Sequence, residues 1–155
     1  MIIETGELRL KDRRYTGEEP VSILEIESEP FVRAAGVINY VLNARCLGND
    51  LLVQGSLALT MDFMCARCAE WFRKPLRVPD FVRSFPLSSG NESIDLTEDI
   101  REDILLALPI NVVCSDECRG LCPMCGVNLN KRQCACHAGE ETPAAWSVLE
   151  RLKIQ

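Results

Sequence analysis

One histidine, His137, is all that the 155-residue sequence contains, and it directly follows a cysteine. No grouping of nucleophile, base and orienting residue stands out, so covalent or acid–base catalysis has no candidate machinery and an enzyme is not expected. No apolar run approaches the ~20 residues that cross a bilayer. The opening MIIETGELRLKDRR has only two consecutive apolar residues after Met1, too few for a secretory signal. The 17 basic residues are outnumbered by 23 acidic ones. A formal net charge of -6 argues against a protein that coats nucleic acid indiscriminately, while leaving room for a local basic patch. There is no internal repeat and no low-complexity segment. The expectation is a cytoplasmic globular chain, one medium domain or one domain with an appended module, whose 47% hydrophobic residues suffice for a core.

Against this background the nine cysteines stand out. Cys65 and Cys68 form the motif CARC, and Cys114, Cys118, Cys122, Cys125, Cys134 and Cys136 crowd the stretch CSDECRGLCPMCGVNLNKRQCAC. Thiolates this dense repel one another unless a metal or disulfides intervene. A reducing cytoplasm disfavours disulfides, so the eight clustered cysteines read as ligands of two tetrahedral zinc ions. Two residues between cysteines let both sulfurs reach one ion from a tight turn whose amides offset the thiolate charge. Cys122-Pro123-Met124-Cys125-Gly126 suits such a knuckle, because proline stiffens the loop and glycine admits a positive backbone angle after the second ligand. Many partitions of eight ligands into two fours exist. The preferred one makes a local site of Cys122, Cys125, Cys134 and Cys136, and a long-range site of Cys65, Cys68, Cys114 and Cys118.

Alternatives are open at this level. CARC is compatible with a redox dithiol, although that motif belongs near a βαβ pattern that this region lacks. Four cysteines also hold iron–sulfur clusters, but these spacings match no ferredoxin run. A catalytic zinc keeps an open position, whereas four thiolates close the coordination sphere and supply folding energy. His137 could replace a cysteine ligand, but as the only histidine it reads as a solvated neighbour of the cluster. Cys46 reads as a buried apolar thiol on the inward side of a strand.

The fold class expected is α+β: an antiparallel β-rich domain with a long central hairpin, one main helix and a cysteine-rich zinc-binding segment. Small or apolar residues occupy the even positions from Val32 to Cys46, and after the turn Leu47-Gly48-Asn49-Asp50 the alternation resumes with Leu51, Val53, Leu57, Leu59, Met61 and Phe63 inward. A third strand is expected from Trp71 to Phe85, confined to an edge or broken by Pro75 and Pro79. VSILEIE is expected to be an edge strand. SSGNES reads as a loop. Leu96, Ile100, Ile104 and Leu108 repeat at helical spacing, with acids in the first turns and Pro109 as the stop, which predicts a helix over 95–108. The organisation expected is a β domain over 1–109 and a zinc module over 110–155. Its terminal AAWSVLERL is expected to be a helix packed on the same domain.

CARC after a strand, IDLTEDIREDILLALPINVVC, CRGLCPMCGVNLN followed by CAC, and PAAWSVLERL together resemble the YceD family of large ribosomal RNA subunit accumulation proteins, over residues 65–152. Some members lack the second cysteine group, which supports keeping Cys65, Cys68, Cys114 and Cys118 together. The resemblance implies a bacterial-type, non-enzymatic role in ribosome biogenesis. The expected partners are ribosomal RNA or a large-subunit ribosomal protein, with no membrane and no small-molecule substrate. The candidate contact residues are Arg67, Arg73, Lys74 and Arg77 around the first knuckle, together with Arg119, Lys131 and Arg132 around the second. The competing reading of these charges is an ordinary solvated surface, and of the protein a zinc-stabilised adaptor unrelated to RNA.

Overall fold

A computed structural model describes residues 1–5, 12–87 and 93–136. Its centre is the expected hairpin, β3 (Val32–Leu47) and β4 (Asp50–Met64), with Leu47 paired to Asp50 across the turn. Two edge strands complete a four-stranded antiparallel sheet in the order β2-β3-β4-β5, with β2 at Arg13–Pro20 and β5 at Trp71–Pro86. The prolines of β5 fall on an edge, where a missing N–H costs no ladder bond. Two short strands, β1 (Ile2–Glu4) and β6 (Ser93–Asp95), pair in a second sheet, and the helix α1 runs over Thr97–Leu106.

The period of two gives the sheet one buried face. Ile38, Leu42, Leu51, Val53, Leu57, Leu59, Met61, Phe63, Leu76, Val78 and Phe81 are buried there. Leu24 of a 3-10 turn, Ile3 of β1, Ile94 of β6, and Ile100 and Ile104 of α1 join the same cluster. Arg83 ties the helix to β5, donating from Nε to Asp99 at 2.8 Å and from a terminal nitrogen to Asp103 at 2.5 Å. Cys46 packs half-buried against this core.

Three details differ from expectation. VSILEIE is not a strand: Val21–Leu24 is a 3-10 turn, closed by Glu25 in the left-handed region at φ 52°. Its apolar residues lack a period of two, and they serve to cap the core end. The true edge strand is RRYTGEEP, whose polarity on both sides hid it. The helix is shorter than 95–108, because Asp95 belongs to β6 and its carboxylate accepts from the Thr97 N–H at 3.0 Å and the Thr97 hydroxyl at 2.6 Å. Leu96 is the N-cap without a side-chain cap of its own, and Asp95, the residue before it, holds the first helical residue, Thr97. His137, AAWSVLERL and most of SSGNES lie outside the described residues.

Candidate metal centres

β4 ends at Met64, so the hairpin itself delivers CARC to the end of the sheet, and the chain turns there to start β5 at Trp71. The turn is held by two backbone bonds, Cys65 N–H to the Glu70 carbonyl and Ala69 N–H to the Cys65 carbonyl, both 2.9 Å. The second CxxC repeats them: Cys122 N–H donates to Val127 and Gly126 N–H to Cys122, both at 2.8 Å. The residue after each pair is left-handed, Ala69 at φ 57° and Gly126 at φ 71°. Two sequence-distant CxxC pairs thus form two knuckles of the same type.

After α1 the chain returns alongside the first knuckle, where Ala66 donates to the Val112 carbonyl at 2.8 Å. This brings Cys114 and Cys118 to the hairpin end. The Cys65 and Cys118 sulfurs are 3.8 Å apart, as are those of Cys68 and Cys114. A tetrahedral ion with metal–sulfur bonds of about 2.3 Å requires an edge of about 3.8 Å. All four sulfurs lie within 4.8 Å of one another, and Cys122, Cys125, Cys134 and Cys136 form a second such group. All nine cysteines are free thiols, and Cys46 belongs to neither group. Both quartets therefore have the spacing and the donor set of a four-thiolate metal centre. The first is mostly buried; in the second Cys122 is buried, Cys134 half-buried, and Cys125 and Cys136 are exposed.

The two centres interlock. Leu121, next to Cys122, donates to the Arg67 carbonyl inside the first knuckle at 3.0 Å. Gly120 (φ 74°) precedes it, and a Cβ there would stand 3.0 Å from that carbonyl oxygen. Asn130 bridges the centres from the NLN stretch: its amide nitrogen donates to the Cys118 sulfur at 3.3 Å, and its carbonyl accepts from the Arg119 N–H at 2.8 Å. Asn128 accepts from the Asn130 amide at 2.9 Å, and Lys131 reaches Glu70 at 2.6 Å. Arg67 donates to the Asp116 and Cys118 carbonyls at 3.0 and 3.3 Å. Four thiolates around a divalent ion keep a net double negative charge, which these amides and Arg67 are placed to offset. Asn130, Asn128 and Glu70 escaped the sequence reading, although the NLN motif was the available signal.

Thiol ionisation follows the backbone. Burial is the largest single influence on Cys65 and opposes its charge, yet the N–H groups of Cys68, Cys114 and Arg67 together bring it down to about 6. In the second knuckle the Cys125 and Met124 N–H groups lower Cys122 to about 6. Burial pushes Cys68 up to about 12, and the hydrogen bond with Cys125, seconded by burial, pushes Cys136 up to about 12. Each knuckle thus prepares its first cysteine as a thiolate.

The basic residues do not form one surface. Arg73 makes a bidentate pair with Asp62 at 2.8 and 3.0 Å, Arg67 is bound to backbone carbonyls, and Lys131 to Glu70. Lys74 lies opposite Met61, on the core side of β5, while Arg73 and Arg77 point to the other face. Lys74, Arg77, Arg119 and Arg132 are exposed, with no acidic partner among the described residues.

The class of protein so defined is a β-sheet protein whose sheet end is clasped by two interlocked four-cysteine centres. Residues 80–153 match the family model described as "Large ribosomal RNA subunit accumulation protein YceD". A chloroplastic relative from Arabidopsis thaliana, called a large ribosomal RNA subunit accumulation protein YCED homolog 1, is 38% identical over 64 residues, 41% of this chain and 20% of the relative. The Zea mays homolog is 39% identical over 49 residues, 31% and 17%. An uncharacterized protein of Mycobacterium tuberculosis is 30% identical over 122 residues, 70% of this chain and 58% of the relative. The chain therefore spans less than two thirds of the length of these relatives. No solved structure matches. Over residues 80–153 the chain is similar to the YceD family.

Proposed function

We propose that this protein is a non-enzymatic, zinc-binding ribosome biogenesis factor of the bacterial cytoplasm. It supports accumulation or processing of large-subunit ribosomal RNA by binding that RNA or a large-subunit ribosomal protein. The observation that carries the reading is the coincidence of the family's name with two complete four-thiolate quartets. Zinc fits both, because four thiolates at tetrahedral spacing suit a closed structural site with no vacancy for substrate. Such sites stabilise a fold and present its surface, which is the requirement of an assembly factor rather than of a catalyst. Among the described residues no helix is long and apolar enough to cross a membrane.

A second reading, an adaptor for a protein partner, has one observation in its favour. A groove of about 540 Å³ beside Cys65 is lined largely by apolar side chains, with Phe31 65% and Ile110 95% exposed at its rim. Purification from cells with and without ribonuclease separates the two. A large-subunit RNA that co-purifies and is lost on digestion supports the RNA form of the proposal, and a ribosomal protein that survives digestion supports the protein form. Retention of non-ribosomal proteins alone, with normal ribosomal RNA levels in cells lacking the protein, contradicts both forms.

A further inference from the structure

Every described element that packs on the large sheet puts its buried residues on one face: Leu24, Ile3, Ile94, Ile100 and Ile104 all enter the cluster with the inward side chains of β3 and β4. The opposite face carries five arginines. By register, Arg14 stands across from Asn43, Arg45 from Leu52, Arg33 and Arg73 from Asp62, and Arg77 from Ala58. Asp62 is the acid in the middle of this face, and Arg73 neutralises it, holding its carboxyl below the usual range. The other acids stand at the margins: Asp12 just before β2, where it shares a hollow with Arg14 and Arg45, Glu18 on edge strand β2, Asp50 at the hairpin turn, Asp80 at the β5 bulge. The helix carries the opposite sign, with Glu98, Asp99, Glu102 and Asp103 on the far side of the core. A chain of net charge -6 has thus separated its charges by face.

We propose that this open face is a binding surface for single-stranded RNA, which names the RNA-contacting surface within the function proposed above and rests on it. Each cation on the face is an arginine, the side chain whose planar fork matches phosphate oxygens and stacks on bases. Arg33 already lies 4.1 Å from the centre of the Trp71 ring, so an aromatic plane and a fixed guanidinium sit together at the end that carries the first knuckle. Asn39, Asn43 and Gln54 between the arginine groups supply amides of the kind that read exposed base edges. An open antiparallel sheet that offers stacking and arginines suits unpaired nucleotides, whereas duplex RNA is gripped across its minor groove. Of the contacts expected from sequence, this surface includes Arg73 and Arg77 and excludes Lys74, and it adds Arg14, Arg33 and Arg45.

The test is fluorescence anisotropy of the full zinc-loaded chain with a labelled oligouridylate across a salt series, using Arg14→Gln, Arg45→Gln, Arg77→Gln and the triple variant. Each lost contact should remove about 0.7 from the slope of log affinity against log salt, and the triple variant should bind about a hundredfold more weakly near about 0.1 M salt. The thermal midpoint of the triple variant should stay at the wild-type value. In a Trp146→Phe background Trp71 is the remaining tryptophan, and its emission should change on RNA binding. Wild-type affinity and slope in the triple variant, with loss instead in Arg119→Gln and Arg132→Gln, would overturn this surface and leave the proposed function standing. Tighter binding of a duplex than of the single strand would also overturn it. No binding of any RNA, with a ribosomal protein still retained after ribonuclease, would overturn the surface and the RNA form of the function together.

Discussion

Ala69 and Gly126 occupy the same place in their two knuckles, each donating its N–H to the carbonyl of the first cysteine, at 2.9 and 2.8 Å, and each in the left-handed region. Glycine enters that region without strain, while an L side chain costs roughly 1–2 kcal/mol there. Ala69→Gly should therefore stabilise the protein by about 0.5–1 kcal/mol after the added unfolded-state freedom of glycine is subtracted. Gly126→Ala should destabilise its own knuckle by about 1 kcal/mol. Thermal unfolding of the zinc-bound protein measures both, and equal effects of the same sign would contradict the equivalence of the two turns.

Asn130 holds the Cys118 sulfur and the Arg119 N–H at once, so Asn130→Ala should loosen the first centre although the residue lies in the segment of the second. Loss of a part-buried hydrogen bond to a charged sulfur, with a smaller contribution from the exposed Arg119 N–H, costs about 1–3 kcal/mol. Zinc released to a colorimetric chelator should leave the variant faster than wild type. Hydrogen exchange should rise around both Cys118 and Gly120. An effect confined to residues after Cys122 would contradict the interlocking of the two centres.

Thiol ionisation sets the pH dependence of metal uptake. In the metal-free protein Cys65 and Cys122 ionise at about 6, whereas Cys68 and Cys136 keep their protons to about 12. A metal needs all four as thiolates, so binding at neutral pH must displace protons, and affinity must rise with pH. Calorimetry in two buffers of different ionisation enthalpy should give different apparent heats. Identical heats in both would contradict thiol ligation.

Arg83 reaches Asp99, Glu102 and Asp103 of the helix from β5. Its side chain is 25% exposed and that of Asp103 15%, which places the group between a surface pair and a buried one. Arg83→Gln should cost about 1–2 kcal/mol, diminished by solvent screening, and the loss should shrink at high salt. Urea unfolding at low and high salt measures this; a salt-independent loss would point to packing instead.

The hairpin was legible because its two strands alternate over thirteen and more residues, and only one register buries Leu51, Val53, Leu57 and Leu59 together. The edge strand Arg13–Pro20 was not, since one side chain, Tyr15, carries its apolar signal and its pairing with β3 decides its conformation. VSILEIE misled for the opposite reason, being apolar without a period. The cysteine quartets were legible as a set because dense thiols have few physical uses. The contacts that fuse them, Leu121 to Arg67 and Asn130 to Cys118, join residues 54 and 12 apart and carry no local pattern. The basic cluster looked continuous along the chain, but strand alternation sends Lys74 and Arg77 to opposite faces.

Two closed zinc centres per chain are the central claim, and native mass spectrometry of protein purified without chelator tests it most directly. The expected mass exceeds that of the polypeptide by two zinc ions, with eight thiols protected from alkylation until a chelator is added and Cys46 the exception. A metal-free chain with eight reactive thiols, or bound iron with visible absorbance, would contradict it.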